Sequence, residues 1–401
     1  MPGVVVTGLG PVSSIGIGRR AFTESLRSGR SGISRITSFD PSGFPHVNAG
    51  EVHDFVPSDL LRALPPRQWG RSSQFAAAAA RLAAGDGGLD LDRTDRARIA
   101  AVVGTTSGES QVVERMTEDA LHDGLDAVDA EIYRQVPAGR LANAVSRELG
   151  LCGESVTLTT ACSASNYALG YGYDLIATGE ADIVFAGGAD SVCRWAHAGF
   201  YRLGALTEHA CAPFDRDRSG ILTGEGGAVL MLESADHAEA RGARAYAELL
   251  GYGVTCDAHH MVAPHAPTIA ECMRVAHRNA SVKPGDVDYI CAHGTGTPAN
   301  DATETKAVFE VFGSRLPPMS SIKSMIGHTM GAASGFGAIA STLAIAEGFL
   351  PPTVNFGTLD PELAGLDPVP NHARPATVRV AQNNGFAFGG NNAITILGAV
   401  R

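Results

Sequence analysis

Short apolar runs rich in β-branched residues recur along the chain between glycines, at Val4 to Thr7, Ala100 to Val103, Ile183 to Ala186, Val229 to Leu232, Tyr289 to Ala292 and Ile394 to Leu397. Runs this continuous have no polar face to offer water, so they predict strands of a sheet covered on both sides. Helical stretches alternate with them, at Gln74 to Ala84, Asn166 to Thr178, Ile269 to Arg278 and Ala338 to Glu347. The alternation predicts an α/β fold. At 401 residues the chain is long for a single core, which calls for two domains or one large layered body.

Two of the strand segments look alike. Gly224-Glu225-Gly226-Gly227-Ala228-Val229-Leu230-Met231-Leu232 and Phe388-Gly389-Gly390-Asn391-Asn392-Ala393-Ile394-Thr395-Ile396-Leu397 each run from a paired-glycine turn into an apolar strand. This fits a duplication into two halves, residues 1–245 and 246–401, that pack their sheets together. It fits equally a chance recurrence of a turn common in α/β proteins. No linker, charge run or low-complexity segment separates the halves.

A net charge of −11 argues against nucleic acid as a partner, because phosphate binding needs a basic face able to displace counterions. No apolar run approaches the roughly 18 residues of a membrane span. The first residues lack the basic-then-apolar order of a signal peptide, so a cytoplasmic location is expected. The cysteines, Cys152, Cys162, Cys193, Cys211, Cys256, Cys272 and Cys291, are odd in number and include no Cys-x-x-Cys pair. That pattern indicates neither a disulfide framework nor a zinc site, and no metal is expected.

Chemistry concentrates at three glycine- or small-residue junctions. In Thr157-Leu158-Thr159-Thr160-Ala161-Cys162-Ser163-Ala164-Ser165-Asn166 a strand-like approach meets a helical stretch, which places Cys162 at a helix N-terminus. Free amides and the macrodipole there are expected to lower the thiol pKa, and small neighbours leave room for a thioester. His293 ends an apolar run and opens Gly294-Thr295-Gly296-Thr297-Pro298, while His328 lies in Lys323-Ser324-Met325-Ile326-Gly327-His328-Thr329-Met330-Gly331. Loops on a rigid sheet are where nucleophiles and proton-handling groups are collected. A cysteine with two histidines suits acyl chemistry in which both imidazoles donate hydrogen bonds to a carbonyl becoming an enolate, as decarboxylative condensation requires.

With these motifs the chain resembles the β-ketoacyl-acyl-carrier-protein synthases, the condensing enzymes of fatty-acid and type II polyketide assembly. The resemblance runs from Val4-Val5-Val6-Thr7-Gly8-Leu9-Gly10 to Asn384-Gly385-Phe386-Ala387-Phe388-Gly389-Gly390-Asn391-Asn392-Ala393. It implies a five-layered αβαβα thiolase fold of two duplicated halves, usually dimeric, and a ping-pong reaction. In that reaction an acyl chain moves from carrier-protein phosphopantetheine to Cys162, malonyl-carrier protein loses carbon dioxide, and its enolate attacks the Cys162 thioester. The resemblance assigns His293 and His328 to the malonyl carbonyl, the amides of Cys162 and Phe388 to an oxyanion hole, and Thr295 and Thr297 to the pantetheine arm. It pairs Lys323 with Glu304 as a buried ion pair orienting the histidines, and makes Phe386, Phe388 and Phe200 the gate of the acyl pocket. No cofactor is implied beyond the carrier-bound phosphopantetheine. The implied partners are acyl carrier protein and either a second copy of the chain or a chain-length factor.

Two positions depart from the family pattern, Ala387 and Ser334, each standing where glycine is common. The residues around Cys162 resemble fatty-acid and reducing polyketide synthases more than the aromatic branch, which points to a reduced or polyene product. Two other activities suit the same fold: a non-catalytic chain-length factor, which lacks the cysteine, and an acyltransferase without decarboxylation, which has no need of His328 and Lys323. Arg62, Arg67 and Arg71 stand out in an acidic protein as a docking patch for an acidic carrier protein.

Overall fold

The computed structural model describes residues 3–400. Its main sheet contains two five-strand units of identical topology. The first is built from β1 (Val4–Ser13), β2 (Ile99–Gly104), β3 (Ser155–Leu158), β4 (Ile183–Asp190) and β5 (Gly226–Ser234), in the order β1-β5-β4-β2-β3. The second uses β6 (Ala247–Cys256), β7 (Tyr289–Cys291), β8 (Met319–Ser320), β9 (Val380–Phe386) and β10 (Asn391–Gly398), in the order β6-β10-β9-β7-β8. In both units the first three neighbours run antiparallel and the last three parallel. The fold is therefore a duplication, and the two paired-glycine segments fall on the equivalent strands β5 and β10. The units also join edge to edge, where β1 pairs antiparallel with β6 through Val5 and Val6.

Six helices make the other layers: α1 (Arg71–Asp86), α2 (Arg140–Leu149), α3 (Ala164–Ala177), α4 (Ala266–Asn279), α5 (Pro298–Phe312) and α6 (Ala333–Glu347). Helices α3 and α6 touch strands of both units and form the central layer, with α1 and α2 covering one sheet outside and α4 and α5 the other. The result is the five-layered αβαβα thiolase fold. Both central helices are buried along most of their length, which explains why neither reads as amphipathic.

Small residues let these layers approach. The alanines at 76–80 of α1 are fully buried against the first sheet, and the glycines of β1 face the same helix. A methyl group built on Gly10 would lie 1.8 Å from the carbonyl oxygen of Ala79, and one on Gly8 2.1 Å from that of Ala83. Backbone cannot yield as a flexible side chain would, so Gly10→Ala is expected to destabilise the protein by at least about 1–3 kcal/mol. Urea denaturation of variant and parent measures this directly.

Strands β6 and β9 were not evident beforehand. Glycines interrupt β6, and β9 carries Gln382-Asn383-Asn384, a polar run that lacks a strand's apolar pattern but is buried and hydrogen-bonded on both faces. Among the described residues no helix is long and apolar enough to cross a membrane.

Candidate active site

Cys162 occupies a tight turn, Ala161–Ser163, between β3 and α3. Ala161 holds φ at +51°, a left-handed conformation that costs a non-glycine residue energy and bends the chain sharply before the thiol. The duplicated half repeats the device. Met330, at φ +53°, opens the turn Met330–Ala332 that leads into α6. The two turns lie against each other where the central helices begin, so the duplication itself delivers His328, two residues before the second turn, to the side of Cys162. The loop after β7 supplies His293. Its ring centroid is 5.6 Å from that of His328, with the planes at 82°.

Both imidazoles are buried and neutral: desolvation holds each well below the ordinary histidine range, and the Lys323 charge pushes the same way. The tautomer of His328 is set by the chain. Its Nδ1 accepts the Met330 amide at 3.0 Å, so the proton lies on Nε2, which is left as a donor. The buried Nδ1 of His293 has no partner among the described residues, so no neighbour dictates its tautomer.

Lys323 and Glu304 are buried beside His293, but they do not form the ion pair expected. Glu304 accepts the amides of His293 and Gly294, both at 2.8 Å, and Lys323 Nζ donates to the His293 carbonyl at 2.5 Å. The two charges grip opposite faces of one stretch of backbone, orienting the histidine through its main chain.

The expected low thiol pKa is also corrected. Burial pushes Cys162 up to about 12; Lys323 and the amides of Cys162 and Phe388 favour the anion without overcoming desolvation. Those two amides bear on the same sulfur, which places the pair named for the oxyanion hole together.

Cys162, His293 and His328 line one cavity of about 320 Å³ with Phe200, Phe386, Phe388, Thr295 and Thr297. Phe388 is 37% exposed at its mouth, and its ring lies 5.9 Å from that of Phe200. The threonines share a hydrogen bond of 2.9 Å, and Thr297 also caps α5 through the Asn300 amide, so they combine a turn-forming role with a place on the wall. Ala387 does not take positive φ; Gly389 and Gly390 do, and they carry the bend. Ser334 is more than a packing change, since its hydroxyl accepts the Asn166 amide at 3.1 Å and ties α6 to the start of α3.

Of the arginine patch, Arg71 is unavailable for docking. Its guanidinium is bonded to the buried Glu225 carboxylate at 2.6 Å, whereas Arg62 and Arg67 remain exposed. Asp190 was not foreseen. It ends β4 beneath the site, accepting Thr105 Oγ1 and the amides of Thr106, Ser107 and Gly331, while burial raises it to about 6. Its signal was an acid closing a buried apolar run, two residues after a glycine pair. Arg218, buried against Asp301 and reaching the partly exposed Asp360, makes a second unforeseen charged cluster next to the His293 loop.

The chain matches the family models for the beta-ketoacyl synthase N-terminal domain over residues 1–238 and C-terminal domain over residues 246–357. It is 36% identical over 400 residues to 3-oxoacyl-(acyl-carrier-protein) synthase 2 of Synechocystis sp., covering 97% of this chain and 96% of that one. Against the putative polyketide beta-ketoacyl synthase 1 of Streptomyces halstedii it is 39% identical over 412 residues, covering 98% and 97%. The solved structure of the ishigamide ketosynthase/chain length factor superposes with a TM-score of 0.98 at 50% identity over the whole of both chains.

Proposed function

We propose that this chain, which belongs to the β-ketoacyl synthase family, elongates an acyl group held on Cys162 by decarboxylative condensation with malonyl-acyl-carrier protein. The observation that carries the reading is the convergence on one cavity of a thiol and two neutral imidazoles, with two backbone amides that favour the sulfur's anion. In the first half-reaction the Cys162 sulfur attacks the acyl carbonyl, the pantetheine carbon–sulfur bond breaks, and the thiol proton ends on the departing pantetheine sulfur. The malonyl thioester then takes its place. Its carboxylate leaves as carbon dioxide and the electron pair passes into an enolate, whose oxygen faces the Nε2–H of His328 and the imidazole of His293. The enolate carbon attacks the Cys162 thioester, the new carbon–carbon bond forms, and the sulfur leaves as thiolate and takes up a proton from solvent to restore the resting thiol. The amides of Cys162 and Phe388 hold the oxyanion at each attack.

Acyl carrier protein is the partner this chemistry needs, and the name of the Synechocystis relative supports it. We read the enzyme as a cytoplasmic dimer; the similarity to a ketosynthase/chain length factor structure at 50% identity supports a type II polyketide role, with a chain length factor as the second subunit. Retention of Cys162 makes this chain the catalytic subunit of such a pair, and retention of His328 and Lys323 favours condensation over simple acyl transfer.

The test is reconstitution with acyl- and malonyl-carrier protein, with and without a co-expressed chain length factor, followed by intact-mass analysis. The expected product is a β-ketoacyl-carrier protein two carbons longer than the donor acyl group. Acylated Cys162 with no carbon dioxide release under either condition would make the chain an acyltransferase.

A further inference from the structure

The Glu304 carboxylate that grips His293 is itself held by a line of buried side chains reaching the outer helix layer. Asn384 Nδ2 donates to Glu304 Oε1 at 2.9 Å, Gln382 Nε2 donates to Asn384 Oδ1 at 2.8 Å, and His277 Nε2 lies 2.7 Å from Gln382 Oε1. None of the four side chains is more than 4% exposed. Gln382 and Asn384 are two residues apart on β9 and share one face of it; Glu304 comes from α5 and His277 from α4.

The direction of the line follows from its end. Glu304 already receives the His293 and Gly294 amides, and a carboxylate is acceptor-only, so Asn384 must present its NH₂. Its oxygen then faces Gln382, which must present its own NH₂ and turn its oxygen to His277. That oxygen requires a proton on His277 Nε2. Burial keeps His277 neutral, below the ordinary histidine range, so the ring supplies that single proton without bringing in a charge. The ring is held edge-on to Phe312 of α5, at 5.5 Å and 89°.

We infer that His277, Gln382 and Asn384 are positioning residues for condensation, fixing through Glu304 the main chain from which His293 reaches the malonyl carbonyl. Removing the His277 donor leaves Gln382 free to turn over. The turned Gln382 then sets its oxygen against the Asn384 oxygen, which Glu304 keeps facing it, so the Asn384 amide is pushed off Glu304 and the grip on the His293–Gly294 amides loosens. The Lys323 contact on the His293 carbonyl persists, so His293 is displaced rather than released. Acyl transfer to Cys162 draws on the Cys162 and Phe388 amides, which lie outside this line, and asks of His293 only that it carry a proton, which a displaced ring still does although it no longer makes an oriented bond to the malonyl carbonyl.

This inference rests on His293 acting at the malonyl carbonyl, and the experiment separates the two. Single-turnover Cys162 acylation and carbon dioxide release from malonyl-carrier protein are measured for the parent, His293→Ala, His277→Phe, His277→Gln, Gln382→Met and the His277→Phe/Gln382→Met double variant. Expected for His277→Phe is a roughly tenfold loss of carbon dioxide release, with acylation within about twofold of the parent. His277→Gln, which keeps an N–H near the Nε2 position, restores release. Gln382→Met behaves like His277→Phe, and the double variant is no slower than the slower single one, as members of one line should be. If His293→Ala releases carbon dioxide at the parental rate, the role given to His293 fails and this inference falls with it. If His293→Ala is impaired but His277→Phe is not, the line has no positioning role. Equal loss of both half-reactions in His277→Phe and His277→Gln would make His277 a packing residue only.

Discussion

Cys162→Ala is expected to take up no acyl group from acyl-carrier protein and to lose condensation by at least about a thousandfold, because no other group at the site can carry the thioester. Intact-mass analysis should show one acyl adduct on the parent and none on the variant; an adduct that persists would move the nucleophile elsewhere. The structure adds a prediction about how this thiol behaves at rest. Burial raises it to about 12, so the thiolate is scarce at neutral pH. Alkylation of Cys162 by iodoacetamide is accordingly expected to be slow between about pH 6 and 8 and to climb throughout that range, since only the thiolate reacts. A fast, flat rate over the same interval would mean that the helix terminus and Lys323 outweigh desolvation. Alanine at 162 keeps the turn's shape, and Ala161 already shows that an alanine is tolerated at positive φ beside it, so loss of the adduct reports chemistry rather than unfolding.

Much of this arrangement is legible in the sequence, and what is not has physical causes. The continuous apolar strands announced a doubly covered sheet, and the paired glycines marked strands β5 and β10, which the topology shows to be equivalent. Cys162 at a helix start, His293 after a strand and His328 among glycines could be recognised because local backbone demands leave local signals. What depends on several segments at once left none. The thiol pKa is set by burial beneath both halves, so the helix terminus, which is the part visible in sequence, gave the wrong sign. The family resemblance paired Lys323 with Glu304, yet the His293 main chain lies between them and takes both. Arg71 looked like a free cation because its partner, Glu225, is 154 residues away. Gln382, Asn383 and Asn384 carry no strand signal, because polar residues in a strand are buried only when distant groups satisfy them: Asn383 turns inward to Asn166 and Ser334, while its two neighbours turn outward to the Glu304 line.

The two histidines should fail differently. His328 holds its proton on Nε2 because Nδ1 is occupied by the Met330 amide, so it can donate to an enolate but cannot accept the proton that leaves Cys162. His328→Ala is therefore expected to acylate Cys162 at close to the parental rate, yet to release carbon dioxide from malonyl-carrier protein about a hundredfold more slowly. An oriented hydrogen bond to developing charge is worth about 3 kcal/mol. His293 has no neighbour fixing its tautomer, and with a resting thiol the proton must leave during attack, so this ring is the one imidazole free to carry it towards the pantetheine sulfur. His293→Ala is expected to depress carbon dioxide release to a similar degree and, unlike His328→Ala, to slow acylation as well, by roughly tenfold. Both half-reactions should be followed in single turnover on the same preparations, with circular dichroism confirming that each variant is folded. Equal acylation rates in the two variants would remove the proton-carrying role from His293 while leaving the enolate role intact. Parental carbon dioxide release in both would remove the enolate role too, and with it the reason for a condensing enzyme to keep two neutral imidazoles buried beside its thiol.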